Sequence, residues 1–150
     1  MTAERDRDST MKTYKIGYTT GVYDLFHIGH LNLLKQAKEH CEHLIVGVTV
    51  DELVSYKGKS AVIPFEERMA IVGAIRYVDQ VVPQTDLDKV KAWEMYHFDV
   101  LFVGDDWKGK PNWVRYEKEL AEKGVDVVYF PYTKGTSSTK LRDVLSAMSR

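Results

Sequence analysis

The sequence has little with which to cross-link or anchor itself. A single cysteine, Cys41, in 150 residues excludes an intramolecular disulfide. No stretch approaches the roughly 20 consecutive apolar residues that a spanning helix needs, which argues against membrane insertion. Neither sign of charge dominates. With 21 basic residues against 22 acidic ones the formal net charge is -1, so no overall field recruits nucleic acid or an anionic surface, and any anion site must be local. No repeat of 20–50 residues and no low-complexity linker divides the chain. The start, "MTAERDRDSTMKT", is charged and lacks the apolar centre of a secretory signal, so residues 1–12 are expected as a flexible tail and the cytoplasm as the location. The remaining 13–150, in a chain 44% hydrophobic and 29% charged, suit one globular domain.

What is present is an alternation of two periodicities. "YKIGYT" (14–19), "HLIVGVTV" (43–50), "QVV" (80–82), "VLFVG" (100–104) and "VDVVYF" (125–130) read as buried strands. Between or after them, "GHLNLLKQAKEH", "PFEERMAIVGAIRYV", "DLDKVKAWEMYHF", "NWVRYEKELAEKG" and "STKLRDVLSAM" read as helices. Pro64 suits a first helical turn, Glu66 and Glu67 suit its positive end, and Gly124 suits the close of the fourth helix. The pattern predicts a single doubly wound, Rossmann-like α/β domain: a five-stranded parallel sheet with helices on both faces. Ligands of such sheets bind beyond the carboxyl ends of the strands. The segments expected there are "TTGVYDLFHIGH", "DELVSYKGKSAVIPFEER", "GDDWKGKPNW" and "PYTKGTSSTK", all rich in groups that hold phosphate.

The first of these carries His27 and His30, two of only five histidines, three apart around Gly29. A helix N-terminus is an anion site by virtue of its free N–H groups, and side chains at this spacing share one face of its first turn. The pair is expected to donate ring N–H bonds to one phosphate; the plainer role has one ring capping the helix and the other packing on Phe26. A metal role finds too few partners. His40, Cys41 and His43 lie at the far end of the helix, about 15 Å away at 1.5 Å per residue, so no metal ligand is expected from the protein.

"GVYDLFHIGHLNLLKQAK", "RYVDQVV", "GDDWKGK" and "YTKGTSSTKLR", in this order, resemble the HxGH nucleotidyltransferase superfamily. Within it, the chain is similar to the glycerol-3-phosphate cytidylyltransferase family over residues 14–145. The resemblance implies CTP and glycerol 3-phosphate as substrates, CDP-glycerol and pyrophosphate as products, a role in teichoic-acid or capsule synthesis, Mg2+ accompanying the triphosphate, and a homodimer. It implies catalytic roles for His27, His30, Lys57 and Arg76, with Asp79 positioning the loop of Arg76. It places Lys57 and Lys89 at the acceptor. The nucleotide falls to Val22, Tyr23, His27, His30, Lys59, Asp106 and the last loop, through Tyr132, Thr133, Gly135, Thr136, Ser137, Ser138 and Thr139. The residue types suit the chemistry. A phosphomonoester is already an anion, so attack on a nucleotide needs charge neutralisation and positioning rather than a strong base.

Three departures bear on specificity. Val22 stands where the family has a threonine, Tyr132 where it has an arginine, and Lys134 where it has a glutamate. The "SSTKLR" ending also resembles adenylyltransferases of the superfamily, so other donors and other alcohol phosphates, such as ribitol 5-phosphate or phosphoethanolamine, are alternatives, as is a non-catalytic nucleotide-binding module. Trp107 and Trp113 are equally open to core and lid roles.

Overall fold

A computed structural model describes residues 13–54, 60–131 and 137–148. The expected tail at 1–12 lies outside them. Five strands, β1 (Tyr14–Gly21), β2 (Cys41–Thr49), β3 (Gln80–Gln84), β4 (Val100–Gly104) and β5 (Asp126–Phe130), form one parallel sheet in the order β3-β2-β1-β4-β5. The helices are α1 (Ile28–Glu39), α2 (Phe65–Gly73), α3 (Lys89–Tyr96), α4 (Pro111–Ala121) and α5 (Ser138–Met148). Short 3-10 turns follow β2 at Asp51–Leu53 and β4 at Asp105–Trp107.

Side chains alternate across a pleated strand, and a sheet buried on both faces needs apolar residues at every position. Leu44, Val46 and Val48 of β2 accordingly pack with Leu34 and Ala37 of α1 and Val72 of α2, while Ile45 points into the opposite core beside Ala92 of α3 and Trp113 and Leu120 of α4. Among the described residues no helix is long and apolar enough to cross a membrane.

The chain winds outward from β1 through β2 to β3 and then returns to the other side of β1 to form β4. At this reversal β1 and β4 pair only through Gly17 with Val100 and Tyr18 with Leu101. Beyond that they part, and the buried hydroxyl of Thr19 donates to the Phe102 carbonyl across the gap at 2.9 Å. The parting opens a crevice at the carboxyl ends, where such folds place ligands.

Both boundaries of α2 differ from expectation. Pro64 takes the N-cap position in extended conformation, one place before the first helical residue. The helix expected to run through Val78 ends at Gly73; tighter turns follow, with Ile75 N–H to Val72 O and Val78 N–H to Ile75 O, until the Asp79 N–H is captured by Leu44 O at the edge of the sheet. Gly124 behaves as expected. At φ +79° it lets Val125 N–H reach Leu120 O and its own N–H reach Ala121 O, closing α4 in a Schellman motif.

Gly17 marks the closest approach in the sheet core. A Cβ there would lie 2.6 Å from Phe102 Cε2 and 2.8 Å from Cys41 Sγ, both buried. Gly17→Ala is therefore expected to cost about 1–3 kcal/mol, read as a lower urea midpoint at unchanged m-value.

Candidate functional site

β1 leaves the sheet through a turn in which Tyr23 and Leu25 both adopt positive φ, 56° and 51°, flanking Asp24. Non-glycine residues in that region cost on the order of 1–3 kcal/mol each and need strong restraint. The restraint comes from two buried charges. The Asp24 carboxylate accepts backbone N–H bonds from Val62 and Ile63, each at 2.9 Å. Arg68, fully buried on α2, donates to Val22 O at 2.8 Å, Thr49 O at 2.7 Å and Ile63 O at 2.9 Å, and pairs with Asp51 at 2.6 Å. The hydrogen bond from Arg68 holds the Asp51 carboxyl below its usual range. The turn is thereby tied to the end of β2 and to the approach to α2.

The two histidines then open α1 as a reciprocal cap. His27 Nδ1 accepts from Gly29 N–H at 3.0 Å, and His30 Nδ1 accepts from His27 N–H at 3.2 Å. Phe26 packs on His30, with ring centroids 5.2 Å apart. The plainer role is therefore real, yet it uses only one nitrogen of each ring. Burial lowers the pKa of both, and that of His30, which also feels His27, falls to about 3. Each ring is neutral near pH 7, and with Nδ1 accepting, its proton resides on Nε2. The outcome is two Nε2–H donors on rings 3.9 Å apart, at a helix N-terminus.

They face a cleft of about 390 Å³, which Val22, Tyr23, Asp106, Ser137, Ser138 and Thr139 line with them. Ser138 Oγ donates to Asp24 O at 2.6 Å, and Arg142 reaches Asp24 Oδ2 at 3.4 Å and Thr139 Oγ1 at 3.1 Å, so the start of α5 is drawn over the turn. A second hollow of about 570 Å³ adjoins the first, sharing His30, Tyr23, Trp107 and Ser138 and extending to Thr49, Gln84 and Lys89. Lys89 donates to Thr20 Oγ1 at 2.9 Å and lies 5.8 Å from the Trp113 ring centroid. Burial pushes its pKa down to about 8. Trp113 is a core residue under this lysine, whereas Trp107, 48% exposed, stands on the rim of both hollows.

One cleft thus gathers His27, His30, Val22, Tyr23, Asp106, Ser137, Ser138 and Thr139, with Lys89 in the adjoining half. Lys57, Lys59, Tyr132, Thr133, Lys134, Gly135 and Thr136 lie outside the described residues. Arg76 is not brought in. It is exposed beside Tyr77 in the turns before β3, at the amino end of the parallel sheet, because α2 runs back across the whole sheet before the chain re-enters it. Asp79 does position that segment, accepting from Leu44 N–H at 2.8 Å and Lys38 Nζ at 2.7 Å, at the same distant end. Asp24, Arg68 and Arg142 are additions that sequence reasoning missed. Asp24 and Arg142 sit inside "GVYD" and "SSTKLR", but Arg68, in a run of charged helix residues, carries no signal of burial.

Two measurements follow from this geometry. His27→Asn retains a capping oxygen and His27→Ala does not, so the alanine variant is expected to be less stable by about 1 kcal/mol. Both lose the Nε2 donor, and triphosphate affinity measured by calorimetry falls alike in the two. Lys89 is charged below about pH 8 and neutral above, so affinity for a phosphomonoester is expected to drop as pH rises past that value. In Lys89→Met the affinity is low throughout and the step is gone.

The family model described as cytidylyltransferase-like matches residues 18–144. A glycerol-3-phosphate cytidylyltransferase of Bacillus subtilis (strain 168) is 37% identical over 131 residues, covering 87% of this chain and 96% of its own length. An FAD synthase of Thermococcus kodakarensis is 35% identical over 132 residues, covering 83% and 85%. The crystal structure of a lipopolysaccharide core biosynthesis protein from Thermoplasma volcanium GSS1 superposes with a TM-score of 0.67 over 82% of this chain and 99% of that one; at 23% identity the likeness concerns the fold. Because the match runs from the first strand through the paired-histidine turn to the last helix, rather than over one motif, the chain belongs to the cytidylyltransferase-like family of nucleotidyltransferases.

Proposed function

We propose that the protein transfers a cytidylyl group from CTP to sn-glycerol 3-phosphate, forming CDP-glycerol and pyrophosphate for teichoic-acid-type or capsule polymers. The observation that carries this reading is the pair of neutral Nε2–H donors at the N-terminus of α1, in a cleft that continues directly to the buried cation Lys89. The triphosphate fits the histidine half and the phosphomonoester the lysine half. A phosphate oxygen of the acceptor attacks the α-phosphorus; the new P–O bond forms as the bond to the β-phosphate oxygen breaks, and pyrophosphate leaves with the electron pair. His27 and His30 bind the charge that develops on the phosphates without exchanging a proton. Lys89 neutralises the acceptor and holds it in line.

The oxygen donors around the cleft, the Asp106 carboxylate with the hydroxyls of Ser137, Ser138 and Thr139, suit a magnesium ion bound mostly by phosphate oxygens and water. Such an ion would accompany the triphosphate and offset its charge. The cytoplasm is the expected location, in keeping with the charged, apolar-poor start of the sequence. Two copies are expected to pair through the 62–78 stretch, where Val62 and Ile71 are exposed apolar residues.

A second reading, with ATP as donor, is favoured by Arg142 of "SSTKLR" on the wall of the nucleotide half and by the comparable identity to an FAD synthase. Pyrophosphate release measured for CTP, ATP, UTP and GTP against glycerol, ribitol and ethanolamine phosphates decides between them. The highest rate is expected for CTP with glycerol 3-phosphate. A maximum with ATP selects the second reading, and no release with any pair removes both.

A further inference from the structure

The lysine half of the cleft carries a polar side chain that the transfer step does not use. Gln84 ends β3, is 5% exposed, and lines the hollow with Lys89, Asn112 and Tyr116. The hydroxyl of Thr49, itself buried and placed at the end of β2, donates to Gln84 Oε1 at 2.6 Å. The parallel register sets Thr49 directly beside Gln84, so one end of the amide is held by the sheet. Its other end, the Nε2 group, makes no hydrogen bond among the described residues and is not a sealed polar atom. An amide nearly buried, with its carbonyl oriented by a neighbour and its two N–H donors opening on a ligand cleft, is built to meet a hydrogen-bond acceptor.

The geometry points to Gln84 as the residue that reads the alcohol portion of the acceptor, its Nε2–H group donating to a hydroxyl oxygen three or four bonds from the ester oxygen of the phosphate that Lys89 holds. This inference rests on the assignment of the lysine half to the acceptor and adds the chemistry by which acceptors are told apart. A polyol phosphate offers oxygens with free lone pairs. An aminoalcohol phosphate offers an ammonium group, which has donors and no acceptor, and would place a cation against both Lys89 and an N–H donor. The same wall therefore selects hydroxyl over ammonium.

The test compares glycerol 3-phosphate with propyl phosphate, which keeps the charge and the chain but has no hydroxyl, in wild type and in Gln84→Leu. Thr49 keeps Gly21 O as an acceptor at 3.2 Å, so the variant is expected to fold, and its melting curve checks that. With glycerol 3-phosphate, kcat/KM is expected to fall roughly tenfold or more in Gln84→Leu, chiefly through KM, while KM for CTP and the values for propyl phosphate stay as in wild type. Thr49→Val, which releases the amide from its anchor, is expected to lower the same ratio by a smaller factor. An equal loss for both acceptors would assign Gln84 a purely structural role and overturn the inference, as would no loss at all. If wild type releases no pyrophosphate with either acceptor, the transferase reading fails on its own. Calorimetric affinities for the two phosphates then decide the inference: a preference for glycerol 3-phosphate that Gln84→Leu abolishes upholds it, and equal affinities overturn it.

Discussion

The carboxyl edge of this protein depends on two ionised side chains buried within it. Asp24 and Arg68 have side chains with no exposed surface, and both grip residues 62–63 from different sides. Isolated charges in a core are strongly unfavourable, and these two are tolerated because backbone groups and an ionic partner, Arg142 or Asp51, satisfy them. In return they hold Tyr23 and Leu25 in conformations that non-glycine residues avoid. The direction in which α1 starts, and with it the direction in which the histidines point, follows from that turn.

The paired histidines show how one residue type performs two tasks without compromise. An N-cap ordinarily uses serine, threonine, aspartate or asparagine, whose oxygens are spent on the helix. An imidazole has two nitrogens on opposite sides of a rigid ring. Using Nδ1 for the cap immobilises the ring and fixes the proton on Nε2, so the capping contact is what orients the outward donor. Burial keeps both rings uncharged and so preserves the lone pairs that the cap requires. A protonated ring would have to give up its Nδ1 contact.

The sheet separates two kinds of work along its length. At the carboxyl ends, β1 and β4 diverge and leave a crevice lined by donors. At the amino ends, Asp79 and Lys38 pin α1, β2 and the entry to β3 into one rigid edge. The side-by-side register of β2 and β3 is what carries order from the frame to the cleft, since it delivers Thr49 and Gln84 as a fixed pair on the wall of the hollow that Lys89 lines.

The five-stranded parallel sheet, the helices on both faces and the placement of the paired-histidine turn were legible in the chain because each depends on local periodicity or on a short motif. Strands of β-branched residues and helices with apolar spacing declare themselves within about ten residues, and "HIGH" after a strand declares an anion-binding helix start. What could not be read were features decided by residues far apart in sequence. Arg76 belongs to "RYVDQ" by resemblance, but it stands at the amino end of the sheet, away from the cleft, because the segment between β2 and β3 returns across the sheet before it. Arg68 looks like a solvated helix residue until the fold brings Val22 and Thr49 onto it, 46 and 19 positions away. Gln84 looks like the polar end of a strand until register sets Thr49 beside it. By itself the sequence determined the elements and the chemistry of the first loop. Which polar side chains were enclosed, and toward which part of the cleft they were turned, was decided only by the tertiary structure, because burial and hydrogen-bond partnership are properties of neighbours that sequence separation hides.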